Sequence, residues 1–174
     1  MMRMTATQTA KPSMPITYAT VTWDQLHRDA RQLAASLMKE HGPFRGIVAI
    51  TRGGLIPAAI LGREMGCRLI ESISVISYAE EEGSQHKPKV VKPAPAAGDG
   101  EGFLIVDDLV DSGITAKLVR ELMPKAVFAC LYAKPDGKPH TDHFVTEVAQ
   151  DTWVLFPWDT APLFVPPLVR SEED

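Results

Sequence analysis

With 174 residues, 45% of them hydrophobic and 23% charged, the chain is long enough for one domain that buries roughly 70% of its unfolded surface. A net charge of −4 gives no support for bulk nucleic-acid binding, which usually shows as a basic face, and no apolar run approaches the roughly 20 residues of a membrane span. Cys67 and Cys130 stand apart from each other and from any CxxC spacing, so they read as small apolar residues of a reducing compartment.

Residues 1–15 (MMRMTATQTAKPSMP) lack the apolar core of a secretory signal and carry only Arg3 and Lys11, which predicts a disordered leader. The remainder, 16–174, reads as a single cytoplasmic domain. Peripheral contact with the inner face of the membrane is left open by these arguments. Thr22 and Gln25 form a capping-box pattern, and Leu26, Ala30, Leu33, Ala34, Leu37 and Met38 follow at helical spacing up to Gly42-Pro43. A buried strand is predicted at Gly46–Ile50, a turn at Thr51–Gly54 and a helix over Leu55–Met65 closed by Gly66. Arg68–Ile76 reads as a further strand. Phe103–Val106, the helix Ala116–Met123 before Pro124, and the strand Val127–Ala133 continue the alternation. Repetition of this kind predicts an α/β fold with a central, mainly parallel sheet flanked by helices. Between these elements, Ser77–Gly102 is polar and rich in Pro and Gly, with Glu80–Glu82, Lys87, Lys89 and Lys92, and it is read as a mobile lid.

Ligands of such sheets sit beyond the carboxyl ends of the strands. Three predicted strands end in polar or charged residues: Thr51-Arg52-Gly53-Gly54, Asp107-Asp108 and Lys134. The most informative of them is FLIVDDLVDSGIT, Phe103–Thr115, in which a buried strand runs into acids and then into a small-residue loop opening a helix. A helix N-terminus presents unpaired N–H groups to a phosphate, while carboxylates suit sugar hydroxyls and a magnesium ion. Two charges about 4 Å apart repel by roughly 4 kcal/mol at an effective dielectric of about 20, so the paired acids call for a cation or hydroxyl donors. The plainer reading is that Asp107 and Asp108 merely end a strand and Asp111 caps a helix. A P-loop ATPase would need GxxxxGK[ST], and no such string occurs. The Arg52-Gly53-Gly54 stretch alone is an ordinary turn, and becomes a candidate pyrophosphate loop only from its place opposite the acids. His140 and His143 in HTDH lack a third ligand and read as solvated, and His27 and His41 as surface residues of the first helix.

The stretch VDDLVDSGIT resembles the signature of type I phosphoribosyltransferases, whose shared substrate is 5-phosphoribosyl 1-pyrophosphate (PRPP). VTWDQLHRDARQLA, TRGGLIPAAILGREMG, GDGEGFLIVDDLVDSGIT, AKPDGKP and QDTW…PWD…FVPP extend the likeness from about Tyr18 to Pro167, and to the bacterial xanthine-guanine subgroup. The resemblance implies the type I phosphoribosyltransferase fold with a small hood and a mobile lid, and transfer of ribose 5-phosphate to xanthine or guanine, with hypoxanthine a weaker substrate. It implies that Asp107 and Asp108 hold the ribose hydroxyls, with Asp108 on Mg2+, and that Asp111 takes or positions the proton on purine N7. Leu109, Val110, Ser112, Gly113, Ile114 and Thr115 then complete the PRPP loop around the 5′-phosphate, and Arg52 and Gly53 meet the pyrophosphate. By the same resemblance, Lys134 is expected to donate to the purine 6-oxo group, Trp153 to stack on the base and the carbonyl of Val154 to face its 2-position. Ser77 and Tyr78 open the lid. A homotetramer without nucleic-acid partners is implied as well. The chain departs from the pattern at Ile114, where many relatives have a second glycine, and at His86 and Lys87, where relatives often have an arginine. Two other readings stay open: a PRPP-sensing regulator, against which the acidic charge balance speaks, and a transferase for adenine or orotate, against which Lys134 and Trp153 speak.

Overall fold

Residues 17–77 and 88–159 are described by the structure, a computed structural model. Its elements are β1 (Thr17–Thr20), α1 (Trp23–His41), β2 (Gly46–Thr51), α2 (Leu55–Met65), β3 (Ile70–Ser77), β4 (Pro88–Lys92), β5 (Phe103–Val110), α3 (Ile114–Leu122), β6 (Val127–Ala133), β7 (His143–Glu147) and β8 (Thr152–Leu155). Six strands form the central sheet in the order β4-β3-β2-β5-β6-β7, all parallel to their neighbours except β4, which runs antiparallel to β3. The expected α/β architecture with a mainly parallel sheet is therefore present.

Strand side chains alternate between faces, and the three central strands feed two cores in this way. Ile47, Ala49, Leu104, Val106, Ala129 and Leu131 face α1 and α2, meeting Leu26, Ala30, Leu33, Leu37, Ala58 and Leu61. The intervening Val48, Ile50, Phe103, Ile105, Phe128 and Cys130 face the other way, with Ala116 and Val119 of α3 and Met123 just after it. Both layers are apolar because both faces of the sheet are covered.

Local signals account for the helix ends. Thr22 Oγ1 accepts the N–H of Gln25 (3.2 Å), as the capping-box pattern predicts. The reciprocal half is absent: Gln25 Oε1 accepts from Arg28 (2.8 Å) rather than from the Thr22 N–H, and its Nε2 donates to Asp29 Oδ1 (2.6 Å). That carboxylate is buried and also accepts from Tyr132 Oη (2.6 Å), which ties α1 to β6. Gly42 closes α1 at φ +73, and Gly66 closes α2 at φ +68. Among the described residues, no helix is long and apolar enough to cross a membrane.

Three expectations are corrected. The strand carrying the acids does not stop at Val106 but continues to Val110, because β6 pairs with it as far as Val110↔Ala133 after β2 has left it at Ala49↔Val106. Part of the predicted lid belongs to the sheet: β4 pairs with β3 through Val75↔Val90 and Ser77↔Pro88, and a 3-10 turn follows at Pro95–Ala97. Ser77 is the last residue of β3, while Tyr78, His86 and Lys87 lie outside the described residues. The HTDH segment is not a solvated loop throughout, since His143 opens β7 and His140 ends a 3-10 turn. β1 and β8, which no local pattern announced, pair as a separate two-stranded parallel sheet, the small hood that the resemblance implied.

Candidate active site

Parallel strands bring their carboxyl ends to one rim, so the ends of β2, β5 and β6, neighbours in the sheet, lie side by side. The turn after β2 meets the acids of β5 directly. A Cβ placed on Gly53 would fall on the carboxylate of Asp108, so only glycine lets that loop lie against it. Gly54 is as tightly bound to the strand ends, with the Ile50 carbonyl 2.7 Å from where its Cβ would stand. The Thr51–Arg52 peptide is cis, and Thr51 Oγ1 donates to Ser74 Oγ (2.9 Å), which fixes the turn to β3. Arg52 itself is exposed at the rim.

Asp107 and Asp108 are half-buried past the point where β2 stops pairing. Each carboxylate accepts the N–H of the next residue: Asp107 Oδ1 from Asp108 (3.0 Å) and Asp108 Oδ1 from Leu109 (2.7 Å). Burial and, after it, the neighbouring Asp108 charge hold Asp107 well above the ordinary carboxylate range. Burial also raises Asp108, and the carboxylate of Asp159 adds repulsion. Asp159 lies in the PWD segment after β8, where it accepts the Phe156 N–H (2.8 Å). Sequence reading passed over it; three acids are crowded here, not two.

Beyond β5 the chain turns through Asp111 and Ser112, both exposed, to Gly113, whose φ of +77 suits glycine. The ring of His140 packs where a Gly113 Cβ would stand, so this histidine forms a wall of the loop. α3 begins at Ile114, two residues earlier than predicted, and Gly113 supplies no side-chain cap. Its first N–H groups are thereby aimed at the loop, the arrangement an anion needs. Ile114 sits at the first helical position with its side chain exposed, so the missing second glycine does not prevent the turn.

Lys134 follows β6, and its backbone N–H donates to the Val110 carbonyl (3.0 Å), which locks the two strand ends together. Its Nζ donates to Asp111 Oδ2 (2.9 Å); the lysine side chain is 8% exposed and that of Asp111 55%. The other Asp111 oxygen accepts from Gln150 Nε2 (2.8 Å). Gln150 Oε1 in turn accepts the Asp136 N–H (3.1 Å), so one glutamine clips the loop before β8 to both the acid loop and the turn after Lys134. Its role was invisible in the sequence. Trp153, on β8, is 56% exposed, which is not core packing, while its neighbour Val154 is buried in the core shared with α1. The structure thus joins Gly53 to Asp108, and Asp111 to Lys134. Gln150 brings the segment leading to Trp153 onto the same acid.

Comparison with known proteins agrees with this arrangement. Residues 22–164 match the family described as Phosphoribosyl transferase domain. The chain is 85% identical over 169 residues to the xanthine-guanine phosphoribosyltransferase of Gluconobacter oxydans (strain 621H), covering 97% of this chain and 99% of that one. It is 54% identical over 154 residues to the enzyme so named from Nitratidesulfovibrio vulgaris (strain DP4), covering 88% and 91%. The crystal structure of a purine phosphoribosyltransferase from Pyrococcus horikoshii Ot3 superposes with a TM-score of 0.73 at 31% identity, covering 86% of this chain and 99% of that chain. The acid loop at a helix start, the glycine turn facing it and these full-length likenesses together make the chain a member of the phosphoribosyltransferase family, in its xanthine-guanine branch.

Proposed function

We propose that the chain is a cytoplasmic purine-salvage enzyme that transfers ribose 5-phosphate from PRPP to xanthine or guanine, and less readily to hypoxanthine. The observation that carries the reading is the 2.9 Å pair between Lys134 and Asp111, because it puts a buried ammonium and an exposed carboxylate side by side at the rim of the acid loop. An ammonium only donates, so Lys134 favours an acceptor such as a 6-oxo group over the 6-amino group of adenine. Asp111 lies beside that donor and takes the N7 proton as N9 forms its bond to the sugar and pyrophosphate leaves. The flat exposed face of Trp153 stacks on the base, and the Val154 carbonyl faces its 2-position. Asp107 and Asp108 accept from the ribose hydroxyls. The N–H groups and hydroxyls from Val110 to Thr115 receive the 5′-phosphate, and Arg52 with the Gly53 backbone receives the pyrophosphate.

Asp108 with its crowded neighbours suits magnesium, since that ion takes oxygen ligands and the half-buried acids repel one another. When bound, magnesium offsets charge on the pyrophosphate and on these carboxylates. The same reading takes the chain as a homotetramer, which light scattering checks. The central test is an ultraviolet assay with PRPP, magnesium and each purine in turn. Xanthine and guanine should turn over and adenine should not. Lys134→Ala should narrow the margin between oxo and amino purines by about tenfold or more, since a site built to hydrogen-bond a substrate group discriminates strongly. An unchanged margin would remove Lys134 from base recognition.

A further inference from the structure

Away from the rim, one group of side chains is accounted for neither by the reaction nor by the packing. α1 ends at His41, and β7 begins at His143, whose register partner in β6 is Ala129. At ~3.3 Å per residue, about 16 Å of β6 separates that level from Lys134. The Nε2 atoms of His41 and His143 face each other at 2.7 Å, with the rings edge-on and their centroids 4.9 Å apart. Glu40 Oε2 stands 3.9 Å from His143 Nε2. All three ligand atoms lie within 4.8 Å of one another. His143 is held between elements with its side chain 15% exposed, while Glu40 and His41 open to solvent.

At 2.7 Å, one ring must offer a lone pair while the other aims its N–H at it. Both rings are therefore already turned inward around a position that a proton occupies. A divalent cation can take that position and draw a lone pair from each ring. Zinc binds imidazole at about 2.0–2.1 Å, and tetrahedral geometry sets two such nitrogens about 3.3 Å apart. The rings need open by only about 0.6 Å, a shift that the exposed last residue of α1 can supply. Asp142, the adjacent acid, is unavailable as a ligand. Its oxygens accept from Arg120 (2.8 and 3.1 Å) and from the Phe128 N–H (2.8 Å). Glu40 is free of such engagement with an arginine or lysine among the described residues, and completes an N2O set with room for water.

We propose that Glu40, His41 and His143 form a surface site for zinc or a similar first-row divalent cation, clasping the end of α1 to the edge strand β7. Two imidazoles and one carboxylate select such ions over magnesium, which prefers oxygen alone. The site is thus separate from the magnesium position at Asp108.

Cobalt(II) titrated into the chelator-treated full-length chain, in excess magnesium, should give the visible absorption of a low-coordinate nitrogen site, at one cobalt per chain. Zinc should displace it. His41→Gln and His143→Gln should each weaken binding by at least about tenfold. Turnover and far-ultraviolet dichroism in these variants should stay normal, which reports an intact fold. Cys67→Ser should leave cobalt binding unchanged. Thermal unfolding offers a second readout, with zinc raising the midpoint of the unaltered chain and not of either histidine variant. Absence of the cobalt absorption overturns the proposal, as does absorption that survives both histidine changes or vanishes with Cys67→Ser.

Discussion

At the scale of single residues, the site depends on what is missing from a side chain as much as on what is present. Gly53 is placed so that any Cβ would overlap the Asp108 carboxylate, and its backbone is not in the left-handed region. The requirement is therefore steric. Gly53→Ala is expected to push Asp108 or the Arg52 turn aside by a fraction of an ångström to an ångström. Misplacement of that size costs on the order of 100-fold in kcat/KM for PRPP. The KM for the purine should move much less, because the proposed purine contacts, Lys134 and Asp111, belong to the other side of the rim. Steady-state kinetics with each substrate varied in turn decide it; equal losses for both substrates would mean general damage to the rim. Cys130 illustrates the opposite case. It is fully buried, and burial pushes its thiol up to about 12, so it is a packing residue of β6 despite lying level with Asp107.

At the scale of elements, the buried Asp29 of α1 is the joint between the helix layer and the sheet. Its two oxygens accept from Gln25 and from Tyr132, and burial raises the tyrosine hydroxyl far above its usual range, so it stays a donor. Tyr132→Phe leaves one buried carboxylate oxygen without its partner. Loss of such a bond costs about 1–3 kcal/mol. Urea unfolding should register a lower midpoint with an unchanged slope, and an unchanged midpoint would show the bond to be dispensable.

The same scale explains what was legible beforehand. α1 and α2 were readable because their apolar residues recur at a helical period and a glycine follows each, and β2 and β6 because each is a short continuous apolar run, as a strand covered on both faces must be. β4 was not, because PKVVK is a charged edge strand with one covered face. The hood strands β1 and β8 have four residues each and pair across almost the whole chain, so no local pattern specifies them. Within the site, Asp107, Asp108, Asp111, Arg52 and Lys134 could be found because strand ends announce them. Gln150 and Asp159 could not: their partners Asp111 and Asp108 lie far away in sequence, and a lone polar residue in a loop carries no period. The cluster of His41 and His143 escaped for the same reason, since one histidine closes a helix and the other opens a strand.

For the molecule as a whole, the crowded acids set site chemistry against stability. Asp107 is held well above its ordinary value of 3.8, first by burial and second by the Asp108 charge. The folded chain therefore holds this proton more tightly than the unfolded one. The stability contributed is present in full below pH 3.8 and is lost as the pH rises through the raised folded value. Once that proton is lost, Asp107 is an ionised acid that the fold disfavours, a cost that a bound cation would relieve under the proposed function. Asp107→Asn keeps the acceptor oxygen that receives the Asp108 N–H while removing the charge. It should unfold at a higher temperature than the unaltered chain at about pH 8, and the two should converge as the pH falls toward about 4. A residual pH slope should persist in the variant because Asp108 is raised too. If Asp107 accepts from the ribose as proposed, turnover should fall sharply in the same protein, since a neutral amide is a poorer acceptor than a carboxylate. Calorimetry across this pH range measures the first effect and the ultraviolet assay the second. A variant less stable than the parent at about pH 8, with the parent's full pH slope, would mean that Asp107 ionises in the fold without penalty.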